Sequence, residues 1–129
     1  MSNIKTTITI ENADFPKGYL AYGYDTAEGK CDFRYVDSYA IEIAAKLAPM
    51  NKELFRSFYY EVDLAARNPI DQKQKLLHQL VASAYARVLR NQAPEFFYVF
   101  MQRNADVVTD NTSYNDFRDH MEAIYCYMM

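Results

Sequence analysis

YLAYGYDTAEGKCDFRYV, residues 19–36, is the stretch on which the fold class turns. Two runs rich in aromatic residues, YLAYGY (19–24) and CDFRYV (31–36), flank DTAEGK, whose Gly29 suits the left-handed position of a hairpin loop. Read as a strand, the second run turns Cys31, Phe33 and Tyr35 to one side and Asp32 and Arg34 to the other. Upstream, IKTTITIE (4–11) alternates Ile4, Thr6, Ile8 and Ile10 with Lys5, Thr7, Thr9 and Glu11, and the chain then turns at Phe15-Pro16. The expectation is a three-stranded antiparallel sheet with one wet face.

After Val36 the apolar period lengthens from about 2 to about 3.6, which predicts helices. Asp37 is placed to cap a first helix that buries Ala40, Ile41, Ala44, Leu47 and Ala48, and Pro49 ends it. Asn51 caps a second helix with Leu54, Phe55, Phe58, Val62 and Ala65 on one face, stopped by Asn68-Pro69. A third, from about Ile70 to Asn91, presents Leu77, Leu80, Val81, Ala84, Tyr85 and Val88 on one arc and Gln72, Lys75, Gln79, Ser83, Arg87 and Arg90 on the other. EFFYVFM (95–101), behind the first-turn proline Pro94, is apolar on all sides in either helix or strand, so it reads as a central buried element or as an interface through Tyr98 and Val99. Thr112 or Ser113 caps a last helix burying Tyr114, Phe117, Met121, Ile124, Tyr125 and Met128. The fold class expected is α+β: a single domain over 1–129, mainly β over 1–36 and with four or five packed helices over 37–129.

Composition narrows the function classes. Half of the 129 residues are hydrophobic and 16% are aromatic, enough to build one core. The N-terminus, MSNIKTTITIENAD, lacks the apolar segment of a secretory signal, and no run is long and apolar enough for a membrane span, so the sequence reads as cytoplasmic. In that compartment Cys31 and Cys126, which have no metal or CxxC spacing, read as reduced, buried thiols. A net charge of -3 argues against coating a phosphate backbone. The helix pair joined at Asn91-Gln92-Ala93 fails as a DNA reader because FFYVFM has no side chain for base edges, so direct nucleic-acid binding is not expected.

Chemical motifs are sparse. Gly18, Gly23 and Gly29 stand in no phosphate-cradling spacing, and neither G-x-S-x-G nor a Cys-His motif is present. Glu61 and Asp63 are two apart on a helix and cannot share a proton there. Asp116, His120 and Tyr127 project along one flank of the last helix, where an Asp one turn from a His could orient a base, but no third metal ligand can be named. No catalytic residue, metal or cofactor is assigned.

Apolar residues on otherwise wet arcs carry more information. Tyr60 and Leu64 lie one turn apart among Lys52, Glu53, Arg56 and Arg67, and Leu76 sits among Gln72, Gln79 and Ser83. With Tyr98 and a basic stripe of Lys75, Arg87 and Arg90, they are the candidate partner-binding residues. The function expected is that of a small protein-binding protein, such as a regulator, inhibitor, immunity protein or adaptor, of the size often encoded by phages and other mobile elements. Its partner is another protein, with a homodimer possible. The competing expectation is a small enzyme or ligand-binding domain with a cleft lined by Tyr22, Tyr24, Tyr35 and Tyr39 and with His120 or His78 as base.

Overall fold

A computed structural model describes residues 14–129, so the strand expected over 4–11 lies outside the described residues. From there the chain runs through β1 (Ala21–Tyr24), a 3-10 turn (Phe33–Tyr35), α1 (Ser38–Lys46), α2 (Lys52–Leu64), α3 (Ile70–Leu89), α4 (Glu95–Val107) and α5 (Asn111–Tyr127). The expected α+β class is thereby corrected to a helical bundle. Its only β structure among the described residues is four-residue β1 and one antiparallel bridge between Asp25 and Cys31.

The reasons are local. Leu20 and Gly23 take left-handed backbone angles, φ 60° and 65°, which break the extended run that a continuous strand over 19–24 requires. At 31–36 the Asp32 carboxylate accepts from the Arg34 backbone N–H at 3.0 Å and also holds the Arg34 guanidinium at 2.7 Å, winding the chain into the 3-10 turn. The period becomes three: Asp32 and Tyr35 are buried, while Cys31, Phe33 and Arg34 are exposed. The loop between the two runs is closed by Gly29 N–H donating to the Thr26 carbonyl, with Gly29 at φ 78°.

Side chains at the helix starts set most of the boundaries. Asp37 accepts from Ser38 N–H, and Asn51 accepts from the Glu53 and Leu54 N–H groups. Pro69 and Pro94 precede α3 and α4 without a side-chain cap. At α5 the cap is Asp110, one position before the helix, rather than Thr112 or Ser113. Ser113 instead completes a capping box, accepting from Asp110 N–H at 3.1 Å while Asp110 accepts from Ser113 N–H at 2.7 Å.

EFFYVFM is helical and central. Phe96, Phe97, Val99, Phe100 and Met101 of α4 are buried, with Phe100 touching the rings of Phe55, Phe97 and Phe117. Tyr98 is half-buried against Tyr85 of α3, ring centroids 5.1 Å apart. α3 packs along α4, and α1 and α2 lie against α5. One corner is closed by an ammonium: Lys73, buried in α3, donates to the Ala66 carbonyl just past α2 at 3.1 Å and sits 4.6 Å over the Tyr114 ring. The Tyr114 hydroxyl donates to the Val62 carbonyl at 2.6 Å, so two carbonyls at the C-terminal end of α2 receive side-chain donors.

Candidate functional site

Among the described residues, the residue types expected to act come together in the tyrosine cage around His120 and in the groove between α2 and α3. In the cage, His120 is fully buried on α5, and its Nδ1 lies 2.5 Å from the Tyr35 carbonyl. A carbonyl only accepts, so Nδ1 carries the proton and Nε2 is the acceptor. Tyr19 therefore donates to Nε2, at 2.7 Å. The Tyr19 oxygen in turn accepts from Asn104 Nδ2 at 2.9 Å, and Asn104 Oδ1 accepts from the Tyr24 hydroxyl at 2.7 Å. The second proton of that amide goes to the Phe100 carbonyl, 2.9 Å away.

This chain of donors has one direction and leaves nothing unpaired. No buried side-chain nitrogen or oxygen among the described residues lacks a partner. Its electrostatic cost falls on the buried ionisable groups. Burial pushes the His120 imidazole down to about 4, against the opposing pull of the Tyr35 carbonyl. Burial likewise raises Tyr19 and Tyr24 well above the usual phenol range, and takes Tyr35 up to about 12. Around this core, Leu20 N–H donates to the Tyr35 hydroxyl at 2.6 Å and the Tyr39 hydroxyl donates to the Lys17 carbonyl at 2.9 Å. The cage thus fastens residues 17–39 to α4 and α5.

That geometry separates the residues the sequence grouped on one flank of α5. His120 points inward, Asp116 is half-buried, and Tyr127 is exposed near the end of the helix. Both ring nitrogens of His120 are engaged by Tyr19 and Tyr35, so as a base the imidazole would have to give up a buried hydrogen bond. Of the cleft residues expected, Tyr24, Tyr35 and Tyr39 are buried in the cage or beside it, and Tyr22 is exposed. His78 is exposed on α3. No group of His, Cys, Asp and Glu that could hold a metal ion occurs among the described residues. Both cysteines are free, and they are exposed rather than buried. No helix among the described residues is long and apolar enough to cross a membrane.

The second place is a groove of about 360 Å³ between α2 and α3. Phe58, Leu76 and Leu80 form its apolar part, and Ser57, Glu61 and Arg87 stand along its sides. Tyr60 lies one turn after Ser57 and Leu64 one turn after Glu61 on the outer arc of α2, and they are 51% and 62% exposed. Lys75 is exposed on α3 and Arg90 at its C-cap, and the Arg87 guanidinium donates to the Gln92 side-chain oxygen at 2.8 Å. Tyr98 does not join this group. Its partner Tyr85 is nine positions after Leu76, about half a turn away around α3.

Sequence reading missed Asn104, Tyr19 and Lys73. Asn104 is flanked by Arg103 and Ala105 and looks like the polar end of a helix; only its partners, Tyr19 and Tyr24, 85 and 80 residues away, give it an interior role. Comparison of the chain with protein-family models, with curated proteins and with solved structures gives no match.

Proposed function

We propose that this protein acts by binding another protein through the outer surface of α2 and α3. The observation that carries the reading is the exposure of Tyr60 and Leu64 beside the groove that Leu76, Leu80 and Phe58 line. An aromatic and an aliphatic residue one turn apart, near a groove whose walls mix Phe58, Leu76 and Leu80 with Ser57, Glu61, Gln79, Ser83 and Arg87, match the make-up of interfaces, where aromatic residues are enriched. Arg87 lines the groove, and the exposed Lys75 and Arg90 add cations elsewhere along α3 and at its C-cap, a charge that would orient an acidic partner.

The test is recovery of a partner by the tagged protein from lysate of its own host across a salt series. The wild-type chain should retain a stoichiometric protein at moderate salt. The double variant Tyr60→Asp with Leu64→Asp should lose it by at least tenfold, while thermal unfolding stays within about 0.5 kcal/mol of wild type because both side chains are solvent-facing. Retention by the double variant moves the interface elsewhere, and recovery of the wild-type chain alone removes the reading.

A further inference from the structure

We propose that a second depression, between the 3-10 turn and the first half of α5, docks a partner segment in which an arginine stands beside an apolar residue. The depression holds about 220 Å³ and is lined mainly by apolar surface, with Cys31, Phe33 and Val36 on one side and Asp116 and Asp119 on the other. Phe33 is 71% exposed and Val36 43%, although the neighbouring Tyr24 and Tyr35 are buried. An aromatic ring and a branched aliphatic side chain therefore stand in water at the mouth of an apolar hollow.

The charges at this hollow are unbalanced. Asp32 is already satisfied by the two-pronged contact from Arg34, Nε to Oδ1 at 3.0 Å and Nη2 to Oδ2 at 2.7 Å, which takes the nearest guanidinium out of play. Among the described residues, the one ion pair of Asp119 is with its sequence neighbour Arg118, at 3.9 Å. Asp116 has no cation within ion-pair distance among the described residues. Partial burial raises its carboxyl above the usual range, and the carboxylates of Asp25, Asp119 and Asp110 push in the same direction.

A guanidinium relieves each of these features at once. It is planar and weakly hydrated, pairs with carboxylates through parallel hydrogen bonds and stacks on aromatic faces, so Asp116 and Asp119 can take its edge while Phe33 takes its face. The apolar neighbour on the partner then covers Val36. A bare metal ion fits less well, because the carboxylates form no metal-ligating group among the described residues. This surface shares no residue with the α2–α3 groove, so either reading can fail without the other.

The experiment uses amide chemical shifts of the full chain titrated with three blocked peptides: acetyl-Leu-Arg-Leu-amide, its citrulline counterpart and its glutamate counterpart. The arginine peptide should shift the amides of Phe33, Val36, Asp116 and Asp119 saturably, more weakly as salt rises. Affinity should fall at least tenfold for the citrulline peptide, for the variant Asp116→Asn with Asp119→Asn, and for Phe33→Ser. Those substitutions sit on exposed or half-exposed groups, and an unfolding curve for each variant is the check that it is folded. Equal shifts from the citrulline or glutamate peptide, arginine-peptide shifts unchanged in the double asparagine variant, or no saturable shift at these amides would each overturn the proposal.

Discussion

The segment before α1 and the aromatic centre around α4 are held by different physics. Phe55, Phe97, Phe100 and Phe117 meet ring to ring without a polar atom, and their contribution follows the area and volume they fill. Residues 17–39 are held largely by directed bonds that run from Tyr24 through Asn104, Tyr19 and His120 to the Tyr35 carbonyl. Apolar packing tolerates a change of shape better than a change of size, whereas a directed chain fails at whichever link is removed. The first region sets how stable the bundle is; the second sets whether the N-terminal segment stays docked on it.

The comparison breaks most heavily at Phe100, which is fully buried and touches both regions, since its ring also lies 5.8 Å from that of His120. Phe100→Ala should cost about 3–5 kcal/mol, read as a lower denaturant midpoint for the whole chain. If hydrogen exchange instead showed loss confined to residues 17–39, the centre would not be the shared foundation described.

Acid is the next probe. The unfolded imidazole protonates near 6.5 and the buried one only near 4, so between those values the unfolded chain binds more protons. Stability from this group is complete above pH 6.5 and declines as pH falls to 4, by about 3 kcal/mol. Asp116 works the other way, because its raised carboxyl takes up a proton more readily when folded. Urea unfolding in the Asp116→Asn variant therefore gives the cleaner slope, and a flat profile from pH 6.5 to 4 would place His120 in a solvated site.

A smaller and more local effect is expected at Asn104. Replacing it by Leu keeps its bulk but strips a partner from the Tyr24 hydroxyl and from the Tyr19 oxygen, at about 1–3 kcal/mol. Amide exchange should quicken at Leu20 and Tyr35 while the interior of α3 and α4 remains protected. Equal quickening in both regions would mean that the two are one cooperative unit.

How much of this was legible in the sequence depended on whether one face of an element is uniformly apolar. In α2 and its C-cap, Phe55, Phe58, Val62 and Ala65 are buried as their spacing indicates and Leu54 is half-buried, because the outer arc, Tyr60 and Leu64 apart, is mostly polar. Around α1, Ala40, Ala44 and Leu47 are buried as expected, whereas Ile41 and Ala48 are exposed and Tyr39 and Ile43 take their places in the core. SYAIEIAAKLA has apolar residues on nearly every side, so the neighbours choose the inward face. The fold class failed for a related reason. Tyrosine is an apolar ring with a polar tip, so the alternation at 19–36 fits a strand equally well as a set of rings whose hydroxyls need distant acceptors. In the candidate interface, Tyr60, Leu64 and Leu76 could be found as apolar residues on wet arcs, but Tyr98 could not be separated from them without knowing how α3 and α4 face each other.

The cage also gives the molecule an optical handle. The chain contains twelve tyrosines and no tryptophan, so its near-ultraviolet absorption and dichroism come chiefly from phenols. Tyr19, Tyr24, Tyr35 and Tyr39 sit in fixed, mutually tilted rings around one imidazole, which is the asymmetric environment that makes such dichroism strong. Release of the N-terminal segment should therefore dim the near-ultraviolet signal while leaving the far-ultraviolet helix signal standing, and the protein reports the state of its own latch without a label.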